Sequence, residues 1–182
     1  MQRTVFLDRD GVINRAVMRG GRPHPPASVD ELEILPGVPD ALARLREAGY
    51  YLAVVTNQPD IARGVTSEVQ VAAIHEHLRA SLGLSDIRVC PHDDADACGC
   101  RKPGPGLLLR GPAFDASGSV MVGDRWRDIE AGRAAGCGAT ILVDYQYDEA
   151  FPHEPDARVR SLAEAADWIL ARDRRQTAAG RD

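Results

Sequence analysis

Short apolar runs and helical patterns alternate along this chain, and the alternation limits the folds it can adopt. Five runs have the length and composition of buried strands: residues 4–8, 51–56, 86–89, 119–124 and 139–143. Strands that alternate with helices are typical of α/β proteins, in which helices cover a mostly parallel sheet. We therefore predict an α/β fold with a central parallel sheet.

Four segments show helical periodicity: residues 36–48, 67–82, 128–135 and 161–170. Gly49 and Gly136 follow the first and third as helix stops. Ser67, with Gln70 three residues later, has the pattern of a capping box. The last twelve residues, ARDRRQTAAGRD, contain no large apolar residue. We therefore predict one domain over residues 1–170 and a disordered tail over residues 171–182.

The composition excludes several classes of function. A formal net charge of -5 and a pI near 5.5 argue against a general nucleic-acid-binding protein, which usually carries a basic face. No segment approaches the run of about 18 apolar residues that a membrane helix needs, and the amino end does not resemble a signal peptide. We expect a cytoplasmic monomer that binds neither nucleic acid nor membrane.

Polar residues end three of the predicted strands: Asp8, Thr56 and Asp124. Ligands of open parallel sheets bind outside the carboxyl ends of the strands, so these residues predict a site at one edge. Asp8 and Asp10 alone are a weak signal, because acidic residues are common in loops. A helix-loop-helix calcium site is excluded, since its glycine belongs at the sixth position and Gly11 is at the fourth.

Two further residues are candidates for this site. Lys102 is the only lysine among 22 basic residues, which favours a position that needs a compact ammonium rather than a guanidinium; the alternative is a solvated surface charge. Asp128 lies four residues after Asp124, a spacing that fits divalent-cation ligation. Asp128 could equally cap the following helix.

A cysteine-rich segment predicts a second, structural metal site. Its candidate ligands are Cys90, His92, Cys98 and Cys100. Three thiolates and one imidazole within so short a segment fit a closed, four-coordinate zinc site, which has no open position for water. The alternative is a loop of unligated thiols. Cys137 lies apart, and we expect it to be a small packed side chain.

In chain order, DxDG after the first strand, a threonine after the second, a lysine before a helix and GDxxxD after the fourth resemble the haloacid dehalogenase superfamily. The resemblance covers about residues 4–143. It implies a three-layer Rossmann-like fold without a large cap domain, here with a zinc-stabilised loop. It also implies phosphatase chemistry, with Asp8 as the nucleophile that forms an aspartyl-phosphate and Asp10 as the general acid and base.

The same resemblance implies a magnesium site and a phosphoryl site. Mg²⁺ would be held by Asp8, the Asp10 carbonyl and Asp124, with Asp128 as a further candidate ligand. Thr56 and Lys102 would bind the phosphoryl oxygens and oppose the charge of the transition state.

The zinc loop narrows the resemblance to the small capless branch that contains heptose bisphosphate phosphatases and histidinol-phosphate phosphatases. The segment TNQPDIARG, residues 56–64, is similar to the heptose type, although Pro59 and Asp60 replace its usual Ser-Gly. The five residues between His92 and Cys98 are instead similar to the histidinol-phosphate type.

Arg63 and Arg101 favour the heptose type, because they could bind a second phosphate that histidinol phosphate lacks. Asn57 and Gln58 are further candidates for substrate binding. The resemblance thus implies removal of the C7 phosphate of D-glycero-D-manno-heptose 1,7-bisphosphate, a small sugar phosphate. Histidinol-phosphate phosphatase is the alternative, and a non-catalytic binding module is the other class considered.

Overall fold

A computed structural model describes residues 1–179. Within these residues the strands and α-helices follow in chain order as β1 Thr4–Leu7, β2 Val17–Arg19, β3 Arg22–His24, α1 Val38–Glu47, β4 Tyr51–Asn57, α2 Glu68–Leu82, β5 Asp86–Cys90, α3 Gly106–Leu109, β6 Val120–Gly123, α4 Trp126–Ala134, β7 Ala139–Val143, β8 Ala157–Val159 and α5 Leu162–Ala179. None of the helices in this range is long and apolar enough to cross a bilayer.

The central sheet has six strands in the order β5-β4-β1-β6-β7-β8. Every neighbouring pair in it is parallel, which confirms the predicted α/β class. Between β1 and α1 the described chain inserts the antiparallel hairpin β2–β3 and one turn of 3-10 helix, Val29–Glu31, and this agrees with the absence of a large cap domain. The hairpin was not predicted.

Two apolar cores cover the two faces of the sheet, which gives three layers. In β1, Val5 and Leu7 belong to the core that packs against α1, α2 and α5. Phe6 points to the opposite face, where the core includes Leu107 and Leu108 of α3. Side chains of a strand alternate between faces, so a strand that is apolar throughout is buried on both sides, as a parallel sheet requires.

The predicted helix ends agree with the structure at α2. The Ser67 hydroxyl accepts a hydrogen bond from the Gln70 amide at 3.2 Å, and the Gln70 side chain accepts one from the Ser67 amide at 3.2 Å. Gly83 ends the helix in the left-handed conformation, where glycine has no steric cost.

The last helix is longer than predicted. It was expected to end near Leu170, with disorder beyond, but α5 continues to Ala179. Polar contacts hold this part of the helix: Asp173 accepts hydrogen bonds from Arg3 and from the Tyr50 hydroxyl, both at 2.7 Å, and Arg172 donates to the Ser117 and Gly138 carbonyls at 3.1 and 3.0 Å. These contacts replace the apolar residues that the segment lacks. The rest of the predicted tail, residues 180–182, lies outside the described residues.

Candidate active site

Parallel pairing aligns three strand ends at one edge of the sheet. Leu7 at the end of β1 pairs with Val54 of β4 on one side and with Val122 of β6 on the other. Asp8 therefore emerges between the ends of these two strands, where the chain connections diverge to opposite sides of β1. Such a divergence opens a crevice, and ligands of α/β sheets bind there.

A cavity of about 750 Å³ occupies this edge. Nine of the predicted site residues line it: Asp8, Asp10, Thr56, Asn57, Arg63, Arg101, Lys102, Asp124 and Asp128. The hairpin β2–β3 contributes Pro23 and His24 to the same wall. Residues far apart in the sequence are thus gathered around one space large enough for a phosphorylated sugar.

Lys102 connects two acidic residues at the base of the cavity. Its ammonium lies 2.9 Å from Asp8 Oδ1 and 2.6 Å from Asp128 Oδ1, and it donates to the Val55 carbonyl at 2.7 Å. The side chain is only 2% exposed. Burial alone would lower the pKa of Lys102, but Asp128 and Asp8 together raise it above its usual value. The lysine is therefore charged and fixed in position.

Three acidic side chains converge in a way that suits a divalent cation. Asp8, Asp124 and Asp128 each offer a carboxylate oxygen, and these oxygens lie within 4.8 Å of one another. Burial raises the pKa of Asp8 to about 7, and it raises the pKa of Asp124 well above the usual value. The neighbouring acids add to both pKa shifts, and Lys102 opposes them. Oxygen ligands of this kind fit Mg²⁺.

Asp128 differs from the other two acids because both of its oxygens have partners. Oδ1 contacts Lys102, and Oδ2 accepts a hydrogen bond from the Arg125 amide at 3.0 Å. The second contact is a helix cap at the start of α4. The arrangement favours support of Lys102 over direct ligation of a metal.

Gly11 allows Asp124 to approach the first motif. Its φ of +84° belongs to the left-handed region, and a Cβ there would lie 2.4 Å from Asp124 Oδ2. Any side chain would displace this carboxylate. The glycine of DxDG is thus required by the geometry of the acidic cluster.

Asp10 is held by a network that the sequence did not predict. Arg9 donates to both of its carboxylate oxygens, with Nη2 2.9 Å from Oδ2 and 3.0 Å from Oδ1. Asn14 donates to Oδ1 and Gln58 to Oδ2, each at 2.9 Å. The side chain of Asp10 remains 17% exposed toward the cavity.

The residues of the TNQ segment have different surroundings. Thr56 is buried, and its hydroxyl accepts a hydrogen bond from Gln58 at 2.8 Å. Gln58 is fully buried, and its amide nitrogen joins Thr56 to Asp10, which differs from the expected contact with substrate. Asn57 lines the cavity and also binds the backbone of Lys102, through its amide nitrogen at 3.0 Å and its oxygen at 3.1 Å.

The predicted zinc ligands form a compact cluster beside this site. Cys90 pairs with Asn57 in the sheet, so the cysteine loop begins at the active-site edge. The sulfur atoms of Cys90, Cys98 and Cys100 are 3.1–3.6 Å apart, and His92 Nδ1 lies 3.4–3.6 Å from two of them. Tetrahedral zinc with Zn–S bonds of about 2.3 Å would set sulfur atoms about 3.8 Å apart. The four donors therefore fit zinc with small adjustments.

Four of the described arginines line the cavity, and three of them, Arg63, Arg101 and Arg127, form a basic rim that the cysteine loop positions. Asp93 binds Arg63 at 2.7 and 2.8 Å, while Asp94 binds Arg101 at 2.8 Å and Arg127 at 2.9 Å. Arg127 was not among the predicted site residues. Its place in the GDRWRD motif puts it at the start of α4, beside Asp124 and Asp128, and this was the available signal.

The loop after β7 covers the other side of the acidic cluster and was not predicted. Tyr147 lines the cavity, and its ring stacks on Tyr145 with centroids 5.6 Å apart. The Tyr145 hydroxyl donates to the Gly11 carbonyl at 3.0 Å. Tyr145 thus fastens this loop to the first motif, and Tyr147 packs on Tyr145.

Comparisons with known proteins agree with the fold and the motifs. A family model of haloacid dehalogenase-like hydrolases matches residues 24–136. D-glycero-beta-D-manno-heptose-1,7-bisphosphate 7-phosphatase of Salmonella typhi is 38% identical across 91% of this chain and 88% of its own length. D-glycero-alpha-D-manno-heptose-1,7-bisphosphate 7-phosphatase of Mycobacterium tuberculosis is 41% identical across 76% of this chain and 77% of its own length.

A solved structure shares the whole architecture. D,D-heptose 1,7-bisphosphate phosphatase from B. bronchiseptica, complexed with magnesium and phosphate, superposes with a TM-score of 0.79 at 33% identity, covering 93% of this chain and 99% of that one. Fold, motif order and sequence identity all agree with the resemblance drawn from the sequence. This chain belongs to the family of haloacid dehalogenase-like hydrolases.

Proposed function

We propose that the chain is a magnesium-dependent phosphomonoester hydrolase that removes the C7 phosphate of D-glycero-D-manno-heptose 1,7-bisphosphate. The observation that carries the proposal is the arrangement of Asp8, Lys102 and Asp124 at the base of one cavity. The names of the relatives that cover most of the chain support this substrate.

Asp8 is the nucleophile in this mechanism. A carboxylate oxygen attacks phosphorus, the bond from phosphorus to the sugar oxygen breaks, and an aspartyl-phosphate forms. Lys102 and Thr56 hold the phosphoryl oxygens while negative charge develops on them. Mg²⁺, bound by Asp8, the Asp10 carbonyl and Asp124, would supply the charge that lets an anionic carboxylate approach an anionic ester.

Asp10 is the general acid and base that transfers protons in both steps of the reaction. It donates a proton to the departing sugar alkoxide and then accepts one from the water that attacks the aspartyl-phosphate. That attack breaks the bond between Asp8 and phosphorus, releases inorganic phosphate and regenerates Asp8. The contacts of Asp10 with Arg9, Asn14 and Gln58 keep its carboxylate fixed through both steps.

The basic rim supports a substrate with two phosphates. Arg63, Arg101 and Arg127 line the same cavity as Asp8, so a substrate could place one phosphate at Asp8 and the other among the arginines. Charge-assisted hydrogen bonds from arginine to phosphate give both affinity and orientation. Histidinol phosphate, the alternative substrate, has no second phosphate to use this rim.

Phosphate release from a panel of substrates tests the proposal. The panel contains both anomers of heptose 1,7-bisphosphate, fructose 1,6-bisphosphate and histidinol phosphate, each assayed with Mg²⁺. We expect the highest kcat/KM for a heptose bisphosphate. A clear preference for histidinol phosphate would reject the proposed substrate while retaining the phosphatase chemistry. Hydrolysis of none of the esters would reject the enzyme, and would favour a binding module.

A further inference from the structure

Arg9 is an unusual residue for the middle of an acidic motif, because its large side chain is fully buried. A buried guanidinium is stable only where its charge and its donors are satisfied. Asp10 supplies the charge and accepts from Nε at 3.2 Å and from Nη2 at 2.9 and 3.0 Å. One side of the guanidinium is thus paired with the proposed general acid and base.

His75 lies within hydrogen-bond distance of the other side of the Arg9 guanidinium. Its Nε2 lies 2.9 Å from Arg9 Nη1. Arginine has donors and no acceptor, so Nε2 of His75 must carry no proton and must accept this hydrogen bond. Burial, followed by the charge of Arg9, lowers the pKa of His75 to about 3, which agrees with a neutral ring. His75 itself is 3% exposed and belongs to α2, a helix that packs against the sheet.

We propose that His75 is a positioning residue for Asp10 that acts through Arg9, an inference that rests on the phosphatase reaction proposed above. The imidazole fixes the rotation of the guanidinium, and the guanidinium in turn fixes the plane of the Asp10 carboxylate. Without the imidazole, Nη1 of Arg9 is left buried without an acceptor. Arg9 then turns to find another partner, and Asp10 loses its alignment with the leaving oxygen.

The other hydrogen bonds to Asp10 show why its alignment depends on Arg9 and, through Arg9, on His75. Asn14 and Gln58 each hold one oxygen of Asp10 with a single hydrogen bond at 2.9 Å. Arg9 alone binds both oxygens, and a bidentate contact fixes a carboxylate plane better than single bonds do. The alignment of Asp10 therefore depends on the orientation of Arg9, which His75 determines.

Two substrates with different leaving groups test this role. A sugar alkoxide needs a proton from Asp10 as it departs, whereas the nitrophenolate of p-nitrophenyl phosphate departs without one. kcat/KM reports the steps up to departure of the leaving group and excludes the later hydrolysis of the aspartyl-phosphate. A defect in proton donation therefore lowers kcat/KM for the sugar phosphate selectively, while a general packing defect lowers it for both.

The variants are His75→Leu, which removes the acceptor, and His75→Gln, which supplies an amide oxygen in a similar place. We expect His75→Leu to lower kcat/KM on heptose bisphosphate by about tenfold or more and on p-nitrophenyl phosphate by about twofold or less. His75→Gln should recover most of the loss. Ile74→Ala, a neighbouring core position on the same helix, is the packing control and should affect both substrates equally.

Equal losses on the two substrates in His75→Leu, no loss, or failure of His75→Gln to rescue would overturn the inference. A wild-type protein that hydrolyses neither ester would instead contradict the phosphatase proposal on which it rests. Should His75→Leu fail to fold, ¹⁵N NMR of histidine in the wild-type protein decides the point. An unprotonated Nε2 on His75 at neutral pH is expected, and a protonated Nε2 would overturn the inference.

Discussion

Lys102 and Asp8 form a buried ion pair, with the ammonium nitrogen 2.9 Å from Asp8 Oδ1. The lysine comes from the loop after the cysteine–histidine cluster, and the aspartate directly follows β1, one of the two middle strands of the sheet. Because both side chains lie at the base of one cavity, the pair joins the predicted nucleophile to the predicted phosphoryl-binding group. The proposed chemistry depends on this arrangement and on the groups that hold it.

Replacement of Lys102 by arginine should lower kcat/KM by about 100-fold or more, a loss typical of removing one transition-state donor. Three oxygens surround the ammonium at 2.6–2.9 Å, and a planar guanidinium is too large for that space. Steady-state kinetics on heptose bisphosphate measures the effect, with circular dichroism as a check on folding. Arg110→Lys, at an exposed position, is the control. Wild-type rates in Lys102→Arg would show that charge alone is sufficient.

Gly11→Ala should weaken Mg²⁺ binding by about tenfold or more, because a Cβ would lie 2.4 Å from Asp124 Oδ2 and displace a proposed ligand. The Mg²⁺ concentration for half-maximal activity and calorimetric titration both measure the change. Gly49→Ala is a matched control: its φ is +83°, but a Cβ there meets no described atom within 4 Å. Both variants should lose stability from the strained backbone, and only Gly11→Ala should lose metal affinity. Equal Mg²⁺ affinity in the two variants would contradict the prediction.

The purified protein should contain about one zinc ion per chain, as a closed four-ligand site implies. Cys98→Ser should lower the zinc content and the melting temperature together, because zinc binding contributes directly to folding of such loops. Elemental analysis and thermal denaturation provide the two readouts. Cys137 lies outside the cluster, so the control variant Cys137→Ser should keep the zinc content of the wild type. A well-folded wild-type protein without zinc would contradict the predicted zinc site.

Arg127→Ala should raise KM for heptose bisphosphate by about tenfold or more, because a charge-assisted hydrogen bond contributes about 1.5–3 kcal/mol. The KM for heptose 7-phosphate, which lacks the second phosphate, should change little. Arg133→Ala, also on α4 but exposed, serves as the control. Equal effects on the two substrates would show that Arg127 does not bind the second phosphate.

The sequence predicted the strand ends well because a parallel sheet makes its interior strands apolar on both faces. Asp8, Thr56 and Asp124 each end such a run, so local composition alone located the edge at which they meet. The start of the helix after Ser67 could be predicted equally well, since its capping box depends on residues only three positions apart in the sequence.

The features that sequence reasoning missed depend on contacts between distant segments. The sequence around Arg9 gives no sign that its side chain turns inward, because its partner His75 lies 66 residues away. The extension of α5 depends in the same way on Arg3 and Tyr50, which bind Asp173 from positions 170 and 123 residues earlier in the chain. The hairpin β2–β3 is short, and its Gly20-Gly21 turn follows no apolar alternation.

The most direct test of the mechanism is the rate of phosphate release by Asp8→Asn, measured on heptose bisphosphate with Mg²⁺ alongside the wild-type enzyme. Asparagine has nearly the shape of aspartate but no nucleophilic oxygen anion, so we expect only background hydrolysis from a variant with a wild-type circular dichroism spectrum. Acid-quenched wild-type enzyme should carry a phosphoryl group on the peptide that contains Asp8. Turnover in Asp8→Asn at a rate near that of the wild type would contradict the covalent mechanism.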